Sequence, residues 1–168
     1  MNAPPNEPSA APPPESEGAE APDDAGVQVG DLVVLPVERI RRQVGCGERV
    51  GLVVEDRRNV VKVFFPDIDR AFWIDRDAAA AVAEGRLPAH PLAVRLHRVC
   101  RALSAVAVEI YDREGDADVF HVFTRGTSLD AIVAVRDLLG GDFRRLDIEP
   151  GGVRRARLTL VFKTDRSV

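Results

Sequence analysis

A cysteine thiolate is the strongest nucleophile a side chain can supply, and the chain has two cysteines. Cys46 lies between Gly45 and Gly47, which expose it, and Arg41, Arg42 and Arg49 can favour its ionised form, so it is a candidate reactive thiol. No base partner accompanies it, and a small residue tolerated in a loop is the plainer reading. Cys100 falls on an apolar stripe and reads as core. Two cysteines form at most one bridge, so no disulfide framework is expected. His90, His97 and His121 are scattered and fit ordinary structural or surface roles, and no catalytic residue is assigned. Neither C-x-x-C nor H-E-x-x-H occurs, which leaves no expected metal site. Gly45-Cys46-Gly47 is not followed by Lys-Ser or Lys-Thr, so it is no phosphate cradle, and no cofactor is expected. Asp112, Glu114, Asp116 and Asp118 alternate without the glycine and glutamate spacing of a calcium loop.

Binding chemistry is better supplied. Phe64, Phe65, Phe72 and Trp73 alternate along two β runs, so some rings face inward and their neighbours outward. An outward ring beside guanidinium groups can stack a base, dock a peptide or hold another domain. The candidate binding residues are Arg39, Arg41, Arg42, Arg49, Arg57, Arg58, Phe72 and Trp73. The bland alternative is that the rings fill a small core and the arginines keep the surface soluble. Arg154, Arg155 and Arg157 near the last strand could add phosphate contacts.

These residues need elements to hold them. The 168 residues are 45% hydrophobic, enough to bury a core, and no apolar run is long enough to cross a membrane. The N-terminus lacks the basic start and apolar stretch of a secretory signal, so a cytoplasmic protein is expected. The first 26 residues hold six carboxylates and no base, with Pro12, Pro13 and Pro14 in a row and no large apolar side chain after Met1. Nothing there offsets about 1 to 2 kcal/mol of backbone entropy per residue, so residues 1–26 read as a disordered acidic leader. The rest carries +2 against a whole-chain −4, too balanced for a polybasic arm, and Lys62 and Lys163 are its only lysines.

Order begins near Val29. Short β runs occur at Asp31 to Leu35, Gly51 to Glu55, Val60 to Phe65 and Ala71 to Ile74, and Asp77 can cap a helical turn through Ala83. The opening Val29-Gly30-Asp31-Leu32-Val33, the Gly51 strand, the hairpin to Phe65 and Phe72-Trp73-Ile74 together resemble the SH3-like small barrels of the Tudor and KOW type, over about a third of the chain. The resemblance implies a β-barrel over residues 27–83 and a docking surface on its wall. The segment between its first two strands is longer than a minimal barrel needs and holds Arg39, Arg41 and Arg42, a place for specificity.

Residues 84–91, with Gly85, Pro88 and Pro91, read as a linker. Beyond it Leu92, Leu96, Val99, Cys100 and Leu103 form one helical stripe. Strands at Ala105 to Asp112 and Val119 to Thr124 follow, then a helix capped by Thr127 or Ser128 and stopped by Gly140-Gly141, then strands at Phe143 to Ile148 and Arg154 to Lys163. The expected fold class is therefore mixed β and α+β: an N-terminal SH3-like barrel followed, over 92–168, by a two-layer αββαββ unit similar in outline to a split ferredoxin-like fold. The functional expectation is a non-enzymatic adaptor or assembly protein that binds a partner protein, or a multiprotein complex, through the barrel and its arginine-rich loop. The alternative is nucleic-acid binding by the same surface. Membrane binding is not expected, and self-association through uncovered sheet edges is open.

Overall fold

The computed structural model describes residues 26–35, 49–150 and 156–164, with backbone alone at 112–114. The leader up to residue 25, the insertion with Arg39, Arg41, Arg42 and Cys46, and Arg154 and Arg155 lie outside the described residues. Among the described residues the chain is mixed α+β, built on a mostly antiparallel sheet with two α-helices. Its first half holds β1 (Leu32–Val34), β2 (Val50–Arg57), β3 (Val60–Phe65), β4 (Arg70–Asp75) and β5 (Ala80–Ala81), with a 3-10 turn at Arg76–Ala78. Its second half holds α1 (Pro91–Leu103), β6 (Ala105–Glu114), β7 (Ala117–Thr124), α2 (Leu129–Leu139), β8 (Phe143–Pro150) and β9 (Ala156–Lys163). Among the described residues no helix is long and apolar enough to cross a membrane.

The strands do not form two separate sheets. The hydrogen-bonded order is β4-β3-β2-β6-β7-β9-β8, with β1 paired to β2 and β5 paired to β1. The junction is a single bridge, Glu55 opposite Ala107. β7 and β8 each run antiparallel to β9, so they are parallel to each other with β9 between them, and α2 makes the crossover.

β2 explains how one strand serves both halves. Its first five residues, Val50 to Val54, are apolar or glycine and all are buried, the pattern of a strand covered on both faces. Val53 points into a cluster with Val33, Val61, Val63 and Phe65, which the first-half strands enclose. Val50, Leu52 and Val54 point the other way, into the main core with Leu96, Phe120 and Leu158. Gly51 is required by this double packing: a Cβ there would lie 2.4 Å from Val63 Cγ1 and 3.0 Å from the Phe64 carbonyl oxygen.

α1 seals the same junction. All five residues of its expected stripe are buried. His90 caps its start, with Nδ1 accepting from the Leu92 N–H at 3.2 Å, and Pro91 follows where a missing N–H costs nothing. The helix is pinned to the turn before β1. Arg101 donates to buried Asp31 at 2.6 Å, Asp31 also accepts the Gln28 N–H at 2.8 Å, and His97 Nδ1 lies 2.6 Å from the Gly30 carbonyl oxygen. Glu84 in the preceding segment pairs with Arg98, and that hydrogen bond holds its carboxyl below the usual carboxylate range.

Two local expectations are corrected. The alanine run after Asp77 forms no helix: a 3-10 turn leads to β5, which pairs with β1, and the Val82 N–H reaches Leu32 O at 2.8 Å. A free strand edge and a place in the core for Ala79 outweigh the helix preference of alanine, which is weak in so short a segment. The β2–β3 turn is also tighter than the four residues expected, with only Arg58 and Asn59 between the strands.

Candidate binding surface

The β3–β4 register sets which aromatic faces out. Lys62 lies opposite Trp73 and Val63 opposite Phe72, so the two neighbouring rings point to opposite faces. Phe72 is half-buried and meets Phe65, with ring centroids 6.2 Å apart. Trp73 is 41% exposed. The Arg57 guanidinium carbon lies 4.4 Å from its ring centroid and Lys62 Nζ 5.8 Å, so two cations sit against one indole. Arg57 is also paired with Glu55 at 2.9 Å, which holds the guanidinium in place over the ring. Arg58 stands exposed at the hairpin tip beside them.

This cluster borders an open groove of about 870 Å³. The groove exists because β2 and β6 touch at one bridge only: β1 pairs with β2 at Val50 to Leu52, and β6 leaves the sheet of the first half there. The two walls then diverge. Val54, Phe64 and Ala71 line one side and Val108 and Ile110 the other, with Glu55, Lys62, Asp69 and Glu109 as charged lining residues. Past Ala107, the β6 edge on this side has no strand partner among the described residues. Tyr111 closes the β6 wall, 56% exposed, with its ring centroid 4.4 Å from that of His121. His121 is the cross-strand partner of Glu109, and its Nδ1 lies 3.9 Å from the carboxylate.

Three candidate residues are thus placed together, Arg57 and Trp73 in contact and Arg58 at the adjoining tip. Phe72 belongs to the interior face. Arg49 is separate: it forms an ion pair with Asp67 at the β3–β4 turn, half-buried, so its charge is matched within the chain. Arg39, Arg41, Arg42 and the thiol of Cys46 fall outside the described residues. Sequence reading missed Lys62, Tyr111 and the β6 wall. Lys62 was visible as the one charge inside Val60 to Phe65, but its indole partner depends on register. The β6 wall depends on a contact between strands about fifty residues apart, which no local pattern encodes.

His90 and His97 make the backbone contacts already described. Burial pushes the Cys100 thiol up to about 12, far from the range of a reactive cysteine. Among the described residues no three His, Cys, Asp or Glu side chains gather as metal ligands would. Comparison with family models, curated proteins and solved structures finds no match for the chain.

Proposed function

We propose that the chain is a non-enzymatic interaction protein that holds an extended segment of a partner protein in the groove between the β3–β4 wall and β6, with Trp73 as its aromatic anchor. The observation that carries this reading is the exposed indole, with Arg57 and Lys62 against it, at the rim of a groove lined by both apolar and charged residues, where the β6 edge has no strand partner among the described residues. Strand edges bind extended peptides through main-chain hydrogen bonds, while flanking pockets select side chains. Trp and Arg are the residue types on which interface energy concentrates.

In this reading residues 27–83 are an SH3-like small barrel. The connectivity β5-β1-β2-β3-β4, with a 3-10 turn between β4 and β5, supports that resemblance. Residues 92–168 are the αββαββ layer that supplies the second wall. The insertion with Arg39, Arg41 and Arg42 adds basic contacts to an acidic partner.

The test is purification of the native complex from its source, with mass-spectrometric identification of what accompanies the chain, followed by binding of that partner to Trp73→Ala. The variant should keep its unfolding midpoint, because the ring is exposed, and lose affinity by about tenfold or more. Unchanged affinity rejects the groove as the site. Nucleic-acid binding is the second reading, favoured by the Arg57–Trp73–Lys62 stack and opposed by Glu55, Asp69 and Glu109 beside it. Trp73 is the only tryptophan, so its fluorescence reports the site directly. Single-stranded oligonucleotides that leave it unchanged at low salt dispose of this reading.

A further inference from the structure

The far end of the sheet presents a different surface. β8 is the terminal strand, and among the described residues its outer edge pairs with nothing. Apolar side chains are left uncovered there: Ile148 on β8 is 51% exposed, and Leu129 and Val133 on α2 are 74% and 38% exposed. They belong to one region. Ile148 lies opposite Leu158, on the face the helices cover, so it points to the α2 side of the sheet. Because β7 and β8 are parallel, the C-terminal end of β8 lies at the end of the layer where α2 begins, with Leu129 in its first turn. Leu138 lines a cleft with Val94 and Arg98 of α1, and by helical spacing Leu129 falls on the flank of α2 away from that cleft, with Val133 turned further outward.

The charges on β8 name the occupant. Arg145 and Asp147 share the open face and pair with each other at 2.8 Å, and Leu146 between them faces the helices. A twofold axis through Leu146 would place two β8 strands antiparallel, with Arg145 of each copy opposite Asp147 of the other and Leu146 opposite itself. Both cross-strand pairs are then of opposite sign, whereas parallel in-register pairing would set Arg145 against Arg145. An unrelated strand would have to match this pattern separately. A second copy matches it by symmetry.

We infer that the protein is a twofold homodimer joined through β8, with the sheet continuous across the two copies and the Leu129 flanks of α2 packed together above the joined strands. This surface is distinct from the groove and does not depend on what the groove binds.

Sedimentation velocity of the full chain tests it. The wild type should sediment as a dimer, and Arg145→Asp and Asp147→Arg, each with its urea midpoint checked, should each sediment as a monomer. An equimolar mixture of the two variants should dimerise again, because one copy then offers carboxylates at both positions and the other offers guanidinium groups at both. A wild-type monomer at the highest soluble concentration overturns the inference, even if β8 then captures some other protein. So does a dimer that neither reversal weakens, or a mixture that stays monomeric. Should a variant fail to fold, amide exchange in the wild type decides: β8 exchange that slows as concentration rises supports the dimer, and exchange independent of concentration overturns it.

Discussion

Burial dominates the chemistry of Cys100, against a smaller opposing pull from the Arg101 charge. Its thiol is pushed up to about 12 from an ordinary value of 9.0, because the interior disfavours the thiolate. Near pH 8 this leaves about a thousandfold less thiolate than an ordinary cysteine has. In a Cys46→Ser background the native protein should therefore give almost no reaction with a disulfide reagent over the time in which the urea-unfolded chain reacts fully. Fast native reaction would mean that α1 opens readily or that the thiol is not buried. The same shift carries a sign for stability. The folded value lies above the unfolded one, so the contribution is whole below about pH 9 and is lost as pH rises toward 12. Cys100 was legible as core because it falls on the 3.6-residue stripe of α1. The alternation of Phe72 and Trp73 was equally legible. The pairing of Arg49 with Asp67 was not, because ion pairs between loops leave no periodic trace in sequence.

Elements were legible where periodicity is strong and lost where tertiary contact decides. The clean alternation of β6 and β7 and the capped ends of α2 needed only local pattern, whereas the apolar residues of α2 did not tell its covered face: Val135 and Leu139 are buried, but Leu129, Val133 and Leu138, equally apolar, are exposed. The alanine run after Asp77 offered local helix preference and nothing to reveal that the edge of β1 would take it as β5. β2 shows the converse, since its unbroken apolar run marks burial on both faces but cannot say what covers each. Gly51 is the position that makes the double burial workable. Replacing it with alanine would force a Cβ to 2.4 Å from Val63 Cγ1 and 2.9 Å from the Phe65 ring, with the Phe64 carbonyl oxygen at 3.0 Å. Gly51→Ala should cost about 1 to 3 kcal/mol, read as a lower urea midpoint. Gly126→Ala is the matched control, with no atom within 4 Å of the added Cβ, and should shift stability by no more than about 0.5 kcal/mol. Equal effects at the two sites would show that the β2 contacts are looser than their distances state.

At the scale of the molecule, the two halves share the interior that a chain of separate units would divide. The main core takes Leu32, Leu52, Val54 and Phe64 from the first half and Phe120, Val135, Leu158 and Phe162 from the second, with the buried stripe of α1 between them. The sequence could not reveal this. An apolar stripe states that a helix is covered, not by what, and the bridge from Glu55 to Ala107 that joins the strands is one residue pair long. A shared core couples the halves, because exposing either face of α1 leaves the other without its packing. Unfolding in urea should therefore be one transition, with the fluorescence of Trp73 on β4 and the far-ultraviolet circular dichroism of the whole chain giving the same midpoint. Leu96→Ala removes a fully buried side chain from the middle of α1 and should lower both signals together, by about 2 to 5 kcal/mol. If the Trp73 signal kept its midpoint while the dichroism fell, the first half would be stable without α1, and the groove would lie between two bodies free to move apart instead of between two walls of one.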